Sequence, residues 1–487
     1  MPFSMPQLLA VDWWALGAVI GLSSGIMLLL LLEFVPAGAR SSRSALISIV
    51  TLAASGWAVW QVADARRSIF GGMFLHDGMS VFFTLLFVAI GLLSVLLSWD
   101  YVKRTRINQA EYYALLLSAT LGMILMAASN SLITIFLALE LMSLALYIMV
   151  GFRRTQLESN EAALKYFLLG AFASGFLLYG IALVYAATGS TDLQRIATVI
   201  AGSPLLGSLL LLIGSLLVLT GFAFKVAVVP FHMWTPDAYE GAPTSVTAFM
   251  SAGAKAAGFA ALLRVLMRAL GDVEADWTAI LTSVAVLTMT VGNVSALLQS
   301  NVKRMLAFSS IAHAGYVLVA VVAGGEAGAA AALFYLTVYA VMNLGAFGVL
   351  TLLGRGQEER VQVADFAGLG FRQPLLGLAM TFFMLSLGGI PPTAGFMGKV
   401  YLFGAALDQG LVTLVVIGML NSVISVFYYL RVTVAMYMDD PQGEPVQVSW
   451  AAPGAIAIVV TLLLTLWWGV QANGLLDQAQ RSVRGLL

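Results

Sequence analysis

The chain contains no cysteine. That removes Fe–S ligation, cysteine zinc sites and covalent c-type haem attachment from its repertoire. Histidine is nearly as scarce, with only His76, His232 and His313 in 487 residues, too few for the usual sets of paired haem ligands. No redox cofactor is expected on this chain. Charge is scarce too: 10% of residues are Asp, Glu, Lys or Arg, against about 25% in a soluble domain. Neither sign dominates, with 24 basic and 24 acidic residues, so a basic surface for nucleic acid is excluded. No cation precedes Arg40, so the charged n-region of a signal peptide is missing and the first apolar segment is expected to stay in the mature protein.

What is abundant is apolar sequence. Hydrophobic residues make up 60% of the chain and mean hydropathy is +0.95, the composition of an all-α polytopic membrane protein. Runs of about 20 apolar residues mark spanning helices. Fourteen are expected, near 13–35, 44–64, 78–99, 111–128, 131–151, 162–187, 205–233, 244–270, 277–298, 304–323, 328–353, 375–406, 411–437 and 452–472. No connecting segment is long enough for a separate folded domain; 354–374 reads as a loop with a short amphipathic element, and 191–204 is similar. Of the cations outside the apolar runs, twelve fall in odd-numbered loops and seven in even-numbered loops or at span ends and the C-terminus. The positive-inside rule then puts the odd loops in the cytoplasm and both termini in the periplasm.

Two spans are too long and carry helix breakers. The seventh contains KVAVVPFHMW from Lys225, and the twelfth contains MLSLGGIPPTAGFMGKVYLF from Met384. Proline removes a helix hydrogen bond and clashes with the turn before it, and glycine loosens the helix further. Broken helices at membrane depth are tolerated where they line a cavity, and breaks five spans apart suggest inverted repeats. The expected organisation is three N-terminal helices in 1–110, a first inverted five-helix repeat in 111–270 (spans 4–8), a second in 277–437 (spans 9–13), and a C-terminal helix in 438–487.

Charges inside the spans are the candidate functional residues. Lys225, Lys255 and Lys399 lie deep in apolar sequence, and Glu140 is the one acid near the middle of a span. Each costs about 2.5–3.5 kcal/mol at the bilayer centre, so four left alone would cost roughly 10 kcal/mol. They should face one another or water. Desolvation and mutual repulsion both disfavour the ammonium form, and a lysine that alternates between charged and neutral is a proton relay. An ion pair or a snorkelling side chain explains any one of these lysines, but all four charges beside two broken helices point to proton transfer. Lys255, with no obvious acid, is the better candidate for a lysine that changes protonation. His313, beside Ser309, Ser310 and Tyr316, is either a satisfied core histidine or a proton carrier. His232 next to a proline fits local hydrogen bonding as well as proton transfer. Lys165 follows Glu161 by four residues and suits an i,i+4 ion pair, though it too is a secondary relay candidate.

Three stretches carry a family resemblance: ALELMSLALYIMVGFRRTQLESNEAALKYF (138–167), VPFHMWTPDAYEGAPTSVTAFMSAGAKAAGFAALLR (229–264) and QSNVKRMLAFSSIAHAGYVLVA (299–320). They resemble the antiporter-like membrane subunits of respiratory complex I, over essentially the whole chain. Among these, EGAPTSVTAFMS and the lysine near the end of the twelfth span look most like subunit N of bacterial NADH–quinone oxidoreductase, the equivalent of mitochondrial subunit 2. The resemblance implies fourteen helices with inverted five-helix repeats and a relay of Glu140 paired with Lys225, then Lys255, then Lys399 near the outward exit. It implies that this chain holds no cofactor, with FMN, Fe–S clusters and quinone on partner subunits. It also implies other membrane-arm subunits as partners, in the bacterial inner membrane. A subunit of a multi-chain sodium/proton antiporter, a subunit of a membrane-bound hydrogenase, and a purely scaffolding role are the competing readings.

Overall fold

In hydrocarbon every backbone N–H and C=O must find its partner within the protein, which leaves a chain of this composition helices and little else. The computed structural model describes residues 14–34, 40–107, 109–202, 208–271, 274–355, 358–440, 448 and 451–484. In order, its helices are α1 (Gly17–Leu31), α2 (Arg40–Trp60), α3 (Gly78–Arg104), α4 (Ala110–Ala128), α5 (Leu132–Val150), α6 (Leu157–Thr188), α7 (Leu193–Ala201), α8 (Leu209–Lys225), α9 (Trp234–Gly241) and α10 (Thr244–Arg268). There follow α11 (Glu274–Leu297), α12 (Val302–Ala323), α13 (Gly325–Leu352), α14 (Leu369–Arg372), α15 (Pro374–Gly388), α16 (Ala394–Asp408), α17 (Val412–Met438), α18 (Ala452–Val470) and α19 (Asn473–Val483). Two small antiparallel hairpins, β1 (Arg67–Ile69) with β2 (Phe74–His76) and β3 (Gly354–Arg355) with β4 (Glu358–Glu359), sit in connections.

Among the described residues eleven helices are long and apolar enough to cross a membrane, and α1, α8 and α15 are shorter apolar helices. The most apolar windows of α10 and α13 are completely buried, and that of α12 is 94% buried. These three form the centre, with α3 and α4 packed against α10. The outer helices α6, α17 and α18 expose large apolar side chains such as Phe172, Val423 and Trp467, as surfaces that meet acyl chains or neighbouring membrane subunits must.

The seventh run breaks around Pro230, but its second half lies later than the expected end at 233. Helix α8 stops at Lys225 and α9 runs from Trp234 to Gly241. Its sequence WTPDAYEG carries Asp237 and Glu240, so hydropathy does not register it as part of a span. The twelfth run divides into α15 and α16 around IPPT. The C-terminal α19 lies past the last expected span; its buried Leu475, Ala479 and Val483 recur every four residues, and that apolar stripe packs on α3 and α13.

Candidate proton-transfer site

Each broken helix leaves C-terminal carbonyls without partners, and the two breaks satisfy them differently. At the first, the Trp234 indole Nε1 donates to Phe224 O at 2.9 Å, and Val229 N donates to Thr288 Oγ1 at 3.0 Å. Lys225, the last residue of α8, is 4% exposed. Its Nζ donates to Ser143 Oγ at 2.9 Å and Tyr166 OH at 3.4 Å, and Tyr166 in turn stacks on Trp234. At the second break the lysine itself fills the role. Lys399 Nζ donates to Gly388 O at 2.9 Å and Leu387 O at 3.3 Å, and to Ser422 Oγ of α17 at 2.7 Å. A cation at a helix C-terminus is favoured by the helix dipole. Gly389 takes φ 82°, and a Cβ there would lie 2.8 Å from Lys399 Cδ, so the left-handed turn and the close approach of the lysine both require glycine.

Helix α10 brings the third lysine between the other two. Lys255 is 3% exposed, donates to the Ser310 carbonyl of α12, and lies 5.8 Å from the Tyr339 ring centroid. One turn further along α10, Gly258 faces Lys225: a Cβ there would be 3.4 Å from Lys225 Cγ. On the other side stands His313, 2% exposed. Its Nδ1 is 2.8 Å from Tyr335 OH and its Nε2 3.1 Å from Tyr429 OH. Its ring is 4.9 Å from that of Tyr339 and 5.6 Å from that of Tyr316, and Lys399 Nζ sits 5.1 Å from the Tyr316 centroid. Lys255, Tyr339, His313, Tyr316 and Lys399 are therefore contiguous. Among the described residues, Ser310 Oγ and Tyr339 OH, both next to Lys255, are buried without a hydrogen-bond partner.

Among the described residues none of the three lysines has an acid within ion-pair distance. Glu140 accepts a hydrogen bond from Ser174 of α6. Ser143, one turn along α5 from Glu140, is what touches the lysine. Glu140 itself is only partly buried and lies beside the exposed Leu137, Leu141 and Leu144. Lys165 stands apart in a half-exposed network, 2.7 Å from Glu161 and 2.9 Å from Asp237, which Arg304 extends to Asp237 at 2.8 Å and Glu240 at 2.7 Å. His232 is half-buried in the turn before α9, away from the three lysines' contacts, and among the described residues its Nδ1 has no partner.

A second, buried ion cluster closes the same end of the molecule. Glu359 of β4 lies 3.1 Å from Lys303 and 3.4 Å from Arg153, and accepts from Tyr101 OH and, at 3.3 Å, from Thr244 N. Burial pushes its pKa up, but Lys303, Arg153 and the Tyr101 hydroxyl outweigh that and hold it at about 2. At the opposite end Arg264 of α10 binds Asp77 through both guanidinium nitrogens at 2.7 and 2.9 Å; there too burial opposes and the arginine prevails, lowering the carboxyl below its usual range.

The protein-family profile described as NADH:quinone oxidoreductase/Mrp antiporter, TM, matches residues 129–425. The chain belongs to that family. It is 49% identical over 94% of its length to NADH-quinone oxidoreductase subunit N of Trichlorobacter lovleyi, covering 94% of that protein. It is 42% identical over 95% of its length to NAD(P)H-quinone oxidoreductase subunit 2 of a Synechocystis strain, covering 92% of it. Within the family it is a subunit N-type chain. Its structure matches a chain of respiratory complex I from Thermus thermophilus with TM-score 0.82, 36% identity and coverage of 96% and 100% of the two chains. A chain of the Mrp complex from a Dietzia species matches with TM-score 0.85 at 20% identity, covering 98% of both chains, a likeness of fold.

The residues that sequence reasoning did not single out are Ser143, Tyr166, Ser174, Tyr335, Tyr339, Ser422 and Tyr429. Tyr335 and Tyr339 stand one helical turn apart, which puts both on the face that meets His313. In a chain with 11% aromatic residues that spacing is not distinguishable from core packing.

Proposed function

We propose that this chain is a proton-translocating membrane-arm subunit of an NADH–quinone oxidoreductase, and that it moves protons through Glu140, Lys225, Lys255, His313 and Lys399. The observation that carries the relay is the contiguous buried line from Lys255 through Tyr339, His313 and Tyr316 to Lys399, in which no lysine is held by an acid. Displacing Glu140 from its Ser174 bond changes the field at Lys225 and destabilises its ammonium. The released proton passes toward Lys255, whose neighbouring hydroxyls, Ser310 and Tyr339, are sites that ordered water can satisfy. His313 hands it on, since an imidazole between two tyrosine hydroxyls accepts on one nitrogen while donating from the other. Lys399 is the last station before the outward side. Redox chemistry belongs to partner subunits carrying FMN, Fe–S clusters and quinone.

The finer architecture of this reading is fourteen crossings: the eleven long helices, α1, and the two broken spans α8–α9 and α15–α16. Two inverted repeats are supported by a matched contact. Gly122 of α4 lies against Met142 N and Ala138 O of α5, and Gly292 of α11 lies against Ala312 N and Phe308 O of α12. In both, a Cβ added to the glycine would fall 2.6 Å from the facing amide nitrogen. The repeats then place Ser143, the partner of Lys225, opposite His313 in the second half. The charge bias of the loops supports periplasmic termini.

The test is purification of the chain with its partners in mild detergent. Flavin and Fe–S signals with NADH–quinone activity are expected; a complex without them that exchanges sodium for protons would instead support the antiporter reading that the shared fold allows. Lys225→Ala and Glu140→Ala should each lower quinone-linked turnover and proton pumping by roughly tenfold, about 1.4 kcal/mol on the barrier. NADH–ferricyanide activity should stay near wild type, because the hydrophilic arm is untouched. If both variants pump normally, the relay is wrong.

A further inference from the structure

The α3–α4 and α5–α6 connections face each other across a cavity of about 300 Å³, lined among others by Arg106, Ile107, Phe152, Arg153, Arg154 and Gln156. We propose that this cavity binds the phosphate of an anionic phospholipid headgroup. Arg106 and Arg154 are exposed, and among the described residues neither guanidinium has an acidic partner. Arg153 is buried and shared between Gln156 Oε1 at 3.1 Å and Glu359 at 3.4 Å, so Glu359 is already engaged by Arg153 and Lys303. Glu111 and Glu158, in the first turns of α4 and α6, do not line it. The charged residues that line the cavity are Arg106, Arg153 and Arg154.

Its shape suits a headgroup more than a free ion in bulk water. Ile107 and Phe152, 6% and 7% exposed, make an apolar floor, and 300 Å³ is at the lower end of ligand pockets rather than a surface dimple. Helix α6 starts at the rim, and its N-cap Gln156 makes no side-chain capping bond, so its amides add to the attraction for an anion; the first amide of α4 is taken by Glu33.

The choice of a lipid rests on what lies beneath. One and two turns back along α5 from Phe152, Ile148 and Leu144 are 54% and 50% exposed. An apolar lane therefore leads from the cavity along the exposed side of α5, where acyl chains can lie. On the other flank Leu28 and Leu31 of α1 are exposed, just before Glu33 accepts from Ala110 N at 2.8 Å and ties α1 to the start of α4. Basic pockets between membrane helices on the cytoplasmic side are the usual seat of anionic headgroups. A lipid site here needs the membrane setting of the family and the proposed orientation, but not the proton relay.

The test uses the intact complex, purified in mild detergent and stripped of loosely held lipid, carrying either Arg106→Gln with Arg154→Gln or Arg106→Lys with Arg154→Lys. The probes are short-chain phosphatidylglycerol, short-chain phosphatidylcholine and inorganic phosphate, with binding read by competition against a fluorescent phosphatidylglycerol. The wild-type complex should bind phosphatidylglycerol in a salt-sensitive way and bind phosphatidylcholine far more weakly. The glutamine pair should weaken phosphatidylglycerol binding about thirtyfold, as loss of two interfacial cations implies, and the lysine pair should keep most of it. Unchanged binding in the glutamine pair overturns the proposal. Inorganic phosphate competing as well as the lipid overturns the lipid assignment in favour of a free-anion site. Binding by the isolated chain but not by the complex also overturns it, because an acidic loop of a partner subunit would then occupy the cavity.

Discussion

Glu359 offers a quantitative test of how the helices at this end of the molecule are held together. Its carboxylate, 13% exposed, joins Tyr101 of α3, Arg153 after α5, the start of α10 at Thr244, and Lys303 of α12. Its pKa is lowered from 4.5 to about 2. Because the folded value is depressed, the ionised group stabilises the fold fully above about pH 4.5, and that stabilisation disappears as pH falls toward 2. At about 1.4 kcal/mol for each pH unit separating the folded and unfolded values, the contribution is about 3 kcal/mol. Glu359→Gln keeps the shape but leaves Lys303 and Arg153, whose side chains are 2% and 8% exposed, as facing buried cations. Breaking one partner from such a cluster costs about 3–5 kcal/mol. Unfolding of the full chain in mild detergent, followed by tryptophan fluorescence, should show the variant about 3 kcal/mol less stable at pH 7. The gap between wild type and variant should shrink between pH 4.5 and 2, where the wild-type carboxylate also becomes neutral. Other carboxylates such as Asp77 titrate in both proteins and cancel in the difference. Equal stability at pH 7, or a gap that persists undiminished below pH 3, would refute the reasoning.

Two glycines test the lysine positions. In Gly258→Ala the new methyl would sit 2.8 Å from Val226 Cγ1 and 3.4 Å from Lys225 Cγ. Overpacking of this kind costs about 1–3 kcal/mol, and quinone-linked proton pumping should fall while NADH–ferricyanide activity holds; normal pumping would show that the placement of Lys225 tolerates displacement. In Gly389→Ala the side chain would adopt φ 82° and press on Lys399 Cδ at 2.8 Å. A left-handed alanine costs roughly 1–2 kcal/mol, so a lower melting temperature is expected together with slower pumping, and a variant that melts and pumps like wild type would contradict the required turn.

How much of this was legible in the sequence depends on the kind of signal. Lys225, Lys255 and Lys399 stand out because a charge in an apolar run is conspicuous, and the breaks because proline and glycine act locally on the backbone. The second half of the first break was not legible. The backbone of α9 continues the broken element, but its WTPDAYEG sequence is too polar for hydropathy to follow. The helix α19 escaped for the opposite reason, since an eleven-residue amphipathic stripe is too short to count as a crossing. The tyrosines around His313 were hidden by their ordinariness, because an aromatic residue in a span reads as packing. The resemblance implied Glu140 and Lys225 as a direct pair, whereas Glu140 bonds Ser174 and Lys225 bonds Ser143. No spacing along two separate helices measures the gap between their side chains.

Those neighbours also bear on which lysine can change its charge. A carbonyl only accepts hydrogen bonds, so it serves an ammonium well and leaves the lone pair of a neutral amine unsatisfied. A hydroxyl can turn and donate, and so serves either form. Lys255 has a carbonyl, Ser310 O, as its hydrogen-bond partner, and Lys399 has two carbonyls and one hydroxyl. Lys225 has two hydroxyls and no carbonyl. In sequence, Lys255 is the better candidate for a lysine that alternates, since it lacks an acid. On the proposed relay the hydrogen-bond partners favour Lys225 instead, because there both are hydroxyls and the same side chains can hold the amine before and after the proton leaves. Ser143→Ala with Tyr166→Phe removes that ambivalence without touching a charge. If the proton leaves from Lys225, this double variant should slow pumping more than Ser422→Ala beside Lys399 does. If the two slow it equally, hydroxyl partners are not what makes a lysine the switching one.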